Sequence, residues 1–353
     1  MSLVLKPQRL VIVGCGALSE LYYAPALREA CGLASLEVSA LYDPSSQRLN
    51  VLKDLFPAAQ LVTNFDELLN LRPNLAIVAS PPKFHSAQAQ GLLAAGAHVL
   101  CEKPMANSVA EAEAMIFAAK ESKRLLAIGL FRRFFPALQF IYSLIRRGTF
   151  GTPRSFIFSE GGSFNWPATS ASFFQKEQSK GGVLLDLGVH VLDLVCWWFG
   201  EPAGFLYEDD AMGNLEANCR ISLDYPNGLH GVVRLSRDES ISNTYVLNFD
   251  HASVSWDVGI ANQLNLRVND QPYQLNCELS NKSTTALTYN QCFVRQLLNF
   301  ANSAIESEAL LVPGDEGIRS LRLIESCYSN KHFMSLPWLS QAESVRAHEL
   351  SRS

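Results

Sequence analysis

Long apolar runs, paired cysteines and surplus positive charge are all missing from this sequence. No stretch reaches membrane-spanning length, and the opening MSLVLKPQRLVIVGCG lacks a basic leader followed by a long apolar segment and a small-residue cleavage site. A soluble, unexported chain is expected, with no membrane partner. The eight cysteines, at 15, 31, 101, 196, 219, 277, 292 and 327, show no Cys-x-x-Cys spacing and no adjacent histidine cluster. That pattern argues against a zinc site or any other metal and fits a reduced, cytoplasmic setting. A formal net charge of −5 argues against a nucleic-acid surface, so a small molecule is the partner left by elimination. Internal repeats and low-complexity segments are absent too.

What is present is a 353-residue chain with 48% hydrophobic and 18% charged residues, globular and too long for one ordinary core. Its first part alternates short apolar strands, RLVIV, LEVSALY, AQLVT, LAIVAS, HVLCE and LLAIGL, with helical segments, the rhythm of βαβ units around a parallel sheet. In SVAEAEAMIFAAKESK, Ser108 followed by Glu111 makes a capping box. After residue 130 the rhythm changes. A helical piece, PALQFIYSLIRRG, leads to TPRSFIFSE, a long loop and then GGVLLDLGVHVLDLVCWWFG. From 204 to 280, strand-like stretches separated by Pro-Asn-Gly, Asp and Asn turns read as an antiparallel sheet. Two helical segments, NQCFVRQLLNFANSAIES and DEGIRSLRLIESCYSNKHF, follow. The fold class is α/β: a doubly wound parallel sheet over residues 1–130, then an α/β domain with a large, open, mostly antiparallel sheet over 131–353.

VIVGCGALSE places Gly14 and Gly16 directly after the first strand, where backbone amides and a helix N-terminus can approach a pyrophosphate. Taken alone this is equally a plain strand-to-helix turn. Ser19 stands where the fingerprint has a third glycine, and Pro25 interrupts the following helix. Asp43 ends the second strand, at the place where a carboxylate accepts hydrogen bonds from the adenosine ribose and repels a 2′-phosphate, so NAD is expected over NADP; Arg48, Ser45 and Ser46 lie close by. Ser80 and Pro81 follow the fourth strand and Lys103 the fifth. All of these fall at the carboxyl edge, where doubly wound sheets bind ligands. An isolated lysine after a strand is usually just exposed. Here Glu102 offers a counter-charge and Pro104 sets the chain direction.

In the helical stretch 181–200, Asp186, His190 and Asp193 recur at steps of four and three, one polar stripe opposite Leu184, Leu187, Val191, Leu194 and Trp198. Burying a carboxylate costs several kcal/mol unless it is paired, so the stripe must face a partner, a cavity or a ligand. A lone histidine on an apolar helix is most often a satisfied core residue.

VGCG, ASPPKFH, GAHVLCEKP and GGVLLDLGVHVLD, in that order and separation, resemble the glucose-fructose oxidoreductase/inositol dehydrogenase (Gfo/Idh/MocA) family. RSLRLIESCYSN is similar to the terminal helix of that family. The resemblance implies a Rossmann domain, then an α/β domain whose open sheet covers the cofactor cleft and often mediates oligomerisation. It implies that Gly14, Gly16, Ala17, Leu18, Asp43, Ser80, Pro81, His85, Glu102 and Lys103 contact the dinucleotide. Lys103 is then the catalytic lysine, and Asp186 and His190 are the second-domain pair facing the cleft. His190, with an unperturbed pKa of about 6.5, would take a proton from a substrate hydroxyl, Asp186 would orient it, and Lys103 would hold the reacting oxygen. Asp193 reads as a structural partner. Ser19 departs from the family pattern.

The loop EGGSFNWPATSASFFQKEQSKGG carries Asn165, Trp166, Phe173 and Phe174, a mixture that suits a sugar or cyclitol and would equally pack the loop. An NAD(P)-dependent oxidoreductase of sugars, cyclitols or related polyols is expected. The alternatives are a dinucleotide-binding transcriptional regulator without turnover and an NAD-dependent redox-neutral glycosidase. Val232, Val233 and Leu235, near Trp256 and Val258, suggest a sheet face covered by another subunit in a homodimer or homotetramer.

Overall fold

The computed structural model of the protein describes residues 7–167, 175, 179–277 and 288–351. These gather into two compact units. The first takes the chain up to Phe134 and, after an excursion through the second, returns for Tyr289–Ile318.

In the first unit, β1 (Gln8–Val13), β2 (Leu36–Tyr42), β3 (Gln60–Val62), β4 (Leu75–Val78), β5 (His98–Cys101) and β6 (Leu126–Ile128) form one sheet in the order β3-β2-β1-β4-β5-β6. Every neighbouring pair is parallel. The six strands end within two residues of the apolar runs that announced them. Runs such as Val11-Ile12-Val13 and Ala76-Ile77-Val78 are wholly buried, as strands covered on both faces require. Between the strands run α1 (Ala24–Leu33), α2 (Ser46–Lys53), α3 (Phe65–Asn70), α4 (His85–Ala94) and α5 (Val109–Ser122).

Two local expectations are refined. At α5 the Ser108 hydroxyl accepts from the Glu111 N–H at 3.2 Å, but the Glu111 carboxylate reaches back to the Asn107 N–H at 3.1 Å rather than to that of Ser108. Pro25, in the first turn of α1, does not stop the helix. Ser19–Tyr23 widen into a π-helical turn closed by the Ala24 N–H on the Ser19 carbonyl, which relieves the proline ring's clash with the carbonyl four residues earlier.

The second unit contains α6 (Pro136–Arg147), β7 (Pro153–Gly161), a π-helical turn over Leu184–Gly188 and α7 (Val189–Phe199). There follow β8 (Gly204–Asp209), β9 (Asn218–Asp224), β10 (His230–Ser236), β11 (Thr244–Phe249), β12 (Ala252–Asp257), β13 (Gln263–Val268) and β14 (Gln271–Asn276). After α8 (Tyr289–Ala304) and α9 (Gly314–Ser329) come β15 (Lys331–Phe333) and α10 (Gln341–Ser351). The sheet runs β14-β13-β12-β11-β7-β10-β9-β8-β15, antiparallel except where β7 meets β10 and β8 meets β15.

Three strands differ from the sequence reading. Lys331-His332-Phe333, expected as helix, is β15, paired with Tyr207-Glu208-Asp209; β8 and β14 were not anticipated as strands. β14, almost wholly exposed, carries no buried alternate face to mark it.

One face of this sheet packs on α7, with Phe156 stacked on Phe199 at 5.1 Å and Phe158 edge-on to Trp198 at 5.8 Å. Val233, Leu235 and Trp256 are buried with them. Period-two alternation sends Val232 to the opposite face, so the uncovered apolar row is not the expected Val232, Val233 and Leu235. Register instead aligns Leu206, Val232, Ile157 and Val246 in one row across five strands, with Ser222 of β9 between Leu206 and Val232. Leu206 is 46% and Ile157 51% exposed.

Candidate active site

The carboxyl edge of the six-stranded sheet is assembled strand by strand. Leaving β1, Gly14 adopts φ +94°, and a Cβ there would stand 2.6 Å from the Ser80 backbone nitrogen, so only glycine fits where the first loop crosses the one after β4. A Cβ on Gly16 would meet nothing within 4 Å, which leaves the loop open to close approach. Ala17, buried, and Leu18, half-buried, begin the following helix. Ser19 donates its hydroxyl to the Gly14 carbonyl at 2.5 Å. The departure from the glycine fingerprint thus ties the helix to its loop.

The peptide groups of Cys15 are gripped from both sides. Its N–H donates to Asp43 Oδ2 at 2.9 Å, and its carbonyl accepts from Arg48 Nε at 2.8 Å. Asp43 Oδ1 also accepts from the Ser45 N–H at 2.9 Å, leaving each oxygen capacity for a further donor such as a ribose hydroxyl. Arg48 Nη2 reaches Glu20 Oε2 at 3.0 Å. The buried Cys15 thiol is pushed up to about 12 by burial and by the Asp43 carboxylate.

Ser80 follows β4 and donates its hydroxyl to Gln88 at 2.6 Å; Pro81 beside it is exposed. His85 is 1% exposed, with Nε2 2.7 Å from the Ser80 carbonyl and Nδ1 2.9 Å from that of Pro104. Burial lowers its pKa against the pull of those carbonyls. It therefore stands as a strut between the loops after β4 and β5.

Beyond β5, Glu102 is buried and accepts from the Tyr23 hydroxyl at 2.5 Å and from the Lys103 N–H at 3.0 Å. Gln296 of α8 donates to Tyr23 at 3.2 Å. Burial holds the Glu102 carboxyl above the usual range, while the Tyr23 hydrogen bond and the Lys103 charge pull it down. Lys103 itself is half-buried and precedes a cis peptide to Pro104.

In the second unit, Asp186 lies in the π-helical turn and His190 and Asp193 in α7. Two members of the polar stripe are sunk, His190 at 6% and Asp193 at 1% exposed, while Asp186 is half-buried. Leu184, Val191, Leu194 and Trp198 are buried, and Leu187 is half-buried. Asp186 Oδ2 lies 3.6 Å from Arg237 Nη2, whose guanidinium sits 5.9 Å from the Phe164 ring centroid. Asn165 is exposed and Trp166 half-buried in the same loop; Phe173 and Phe174 lie outside the described residues. Arg237, Gln296 and Glu216, which meets the start of the Asp186 helix, escaped the sequence reading. None sits in a local motif; only Arg237, as a charge inside a strand-rich stretch, gave any signal.

Residues 8–130 match the model of an oxidoreductase family with an NAD-binding Rossmann fold, and residues 138–255 match the GFO/IDH/MocA C-terminal domain. The chain is 29% identical over 203 residues to D-glucoside 3-dehydrogenase of Escherichia coli K12, covering 56% of this chain and 55% of that protein. It spans a little over half the length of the curated relatives it matches. Aldose-aldose oxidoreductase from Caulobacter crescentus, complexed with glycerol, is similar at a TM-score of 0.81 and 23% identity, over 92% of this chain and 97% of that one. Levoglucosan dehydrogenase, in complex with NADH and levoglucosan, gives a TM-score of 0.82 at 17% identity, over 92% and 97%. At these identities the two solved structures establish a shared fold.

Proposed function

Because the chain belongs to the GFO/IDH/MocA family of oxidoreductases, we propose that it moves hydride between a nicotinamide dinucleotide and a hydroxyl-bearing carbon of a sugar, cyclitol or related polyol. The observation that carries this reading is the convergence of the Gly14–Leu18 loop, Asp43, Ser80 and Lys103 on one sheet edge. The sugar substrates named for D-glucoside 3-dehydrogenase and levoglucosan dehydrogenase support the substrate class.

In this reading residues 1–130 bind the dinucleotide and residues 131–353 supply the substrate site; α8, later in the chain, packs on the first unit and serves it. The open side of Gly16 and the helix start at Ala17 and Leu18 fit a pyrophosphate. The spare acceptor capacity of Asp43 fits ribose hydroxyls. NAD is preferred over NADP because Asp43 presents negative charge while Arg48, already bonded to the Cys15 carbonyl and Glu20, is not free to receive a 2′-phosphate. When bound, the nicotinamide supplies the hydride acceptor. The side chains do the rest. Lys103 holds the reacting oxygen, and His190 takes the hydroxyl proton. Asp186, its charge balanced by Arg237, orients the imidazole or a neighbouring hydroxyl. Asn165 and Trp166 line the sugar.

The test is nicotinamide absorbance with NAD and a panel of sugars, inositols and sugar acids, run beside Lys103→Met and His190→Ala. Turnover by the wild type alone supports the reading. Cofactor binding with no turnover of any panel member tells against it and favours a regulator, and sugar release without net NADH favours a redox-neutral glycosidase.

The same proposal makes the protein a homodimer or homotetramer through the Leu206, Val232, Ile157 and Val246 row. Light scattering at low micromolar concentration should give a multiple of the 39.0 kDa chain mass; a monomeric mass rejects this part. Among the described residues no helix is long and apolar enough to cross a membrane, and no cysteine is in a disulfide. A cytoplasmic place of action belongs to the same proposal.

A further inference from the structure

The helix that carries Asp186 and His190 has no cap of its own. Lys180, Gly181, Gly182 and Val183 lead into it, and none offers a short side-chain oxygen to the first amides. Those amides are satisfied from the β8–β9 connection. The Glu216 carboxylate accepts from the Gly182 N–H at 3.0 Å to either oxygen and from the Leu184 N–H at 2.9 Å. The Glu216 backbone carbonyl takes the Val183 N–H at 3.0 Å. Three consecutive amides therefore end on one residue, itself 3% exposed.

Tyr328 of α9 donates its hydroxyl to the same carboxylate at 2.8 Å, fixing it from behind. The double glycine makes room for this arrangement. A Cβ on Gly182 would stand 2.1 Å from the Glu216 carbonyl oxygen, and one on Gly181 would stand 2.1 Å from the Tyr328 hydroxyl. A carboxylate at this end of a helix also meets the positive pole of the peptide dipoles.

We infer that Glu216, locked by Tyr328, is the positioning residue for Asp186 and His190: it sets the height and rotation of the Leu184–Gly188 turn and so the direction of both side chains. The inference rests on the dehydrogenase reading for its consequence in turnover, though not for its geometry. A purely structural cap would lower stability and leave the His190 ring environment of the folded protein unchanged. A positioning cap shifts that environment and separates kcat from KM.

The experiment uses the full chain with Glu216→Gln, Glu216→Asp and Tyr328→Phe. Glu216→Gln keeps the size but turns an NH2 group toward amide donors it cannot accept from. The first readout is the ring 15N shifts of His190 at fixed pH, assigned against His190→Gln. The second is turnover of NAD with levoglucosan, D-glucose and myo-inositol. Glu216→Gln should move the His190 signal and lower kcat about 10–100-fold while KM for NAD stays within about two-fold. Glu216→Asp, which keeps both oxygens, should recover part of the loss. Tyr328→Phe should move the same signal by less, and it decides the matter if Glu216→Gln does not fold. An unmoved His190 signal in the folded variants overturns the inference. A moved signal in a protein that turns over none of the three compounds upholds the positioning role and counts against the dehydrogenase reading instead.

Discussion

At the edge of the six-stranded sheet, Gly14, Asp43, Ser80 and Lys103 each stand just past the end of a strand, whereas Asp186 and His190 stand on a helix whose start is held by a side chain 34 residues beyond Gly182. The first arrangement inherits its geometry from the backbone ladder. Paired parallel strands deliver their last residues to one edge, and short contacts such as Asp43 on Cys15 finish the placement. In the second, no ladder holds the helix start; a buried carboxylate and a tyrosine do. The proposed binding edge, which repeats the sheet's order, thus rests on neighbouring residues, while the proposed proton-transfer element depends on a distant contact.

Replacing the reacting groups gives the largest expected effect. His190→Ala should lower kcat by about 10²–10⁴-fold with NADH affinity, read by fluorescence, unchanged. Equal loss of both would erase the distinction between a chemical helix and a binding edge. Glycine substitutions come next. Gly14→Ala and Gly182→Ala should each cost about 2–3 kcal/mol in urea denaturation, one through positive φ and the Ser80 backbone, the other through the Glu216 carbonyl. Gly16→Ala, which meets no atom within 4 Å, should leave stability within about 0.5 kcal/mol and weaken only the dinucleotide.

Each region also rests on a buried carboxylate, Glu102 or Glu216, whose pKa burial raises. A carboxyl with a raised folded pKa contributes most when protonated, so its contribution is full below the unfolded value of about 4.3 and is lost as pH rises through the folded value. The stability of Glu102→Gln relative to wild type should therefore grow as pH is raised from about 4 to 7. His85 runs the other way. Its lowered pKa makes the wild type lose stability as pH falls below about 6.5, and His85→Gln should lose that part of the slope. A stability difference from wild type that does not change with pH, in either variant, would show that the residue titrates as it does in the unfolded chain. The smallest effect is expected from Glu20→Gln. The Arg48–Glu20 pair is partly exposed, so stability should move by less than about 1 kcal/mol, while NADP binding gains a few-fold as Arg48 is released.

The same contrast explains what could be read in advance. The six parallel strands, the Ser108 cap and the edge residues are local signals, and they appear where apolar runs and small-residue turns place them. The membership of Asp186, His190 and Asp193 in one packed helix was legible as well, but not the Arg237 and Glu216 contacts that Asp186 and the helix start make. Glu216 and Gln296 could not be found, and Arg237 showed only as a charge in a strand-rich stretch, because each meets its partner through long-range packing, which leaves no period in the chain. β14 lacks a buried alternate face, and β15 is three residues long, too short to carry one. The widened turn at Ser19–Tyr23 hides behind an ordinary proline signal.

The first unit is discontinuous in the chain, and that has a bearing on synthesis. Phe293 stacks on Tyr22 at 5.2 Å and meets Tyr23 edge-on at 5.3 Å, while Gln296 completes the hydrogen bonds of the tyrosine that braces Glu102. A nascent chain released only as far as Phe134 has all six strands but neither of these partners. At about 5–20 residues per second, the ribosome takes roughly 10–40 s more to deliver the segment that ends at Ile318. Through that interval Tyr22 and Tyr23 lack their aromatic cover. The sheet whose strands are made first is thus among the last parts of the molecule to be finished.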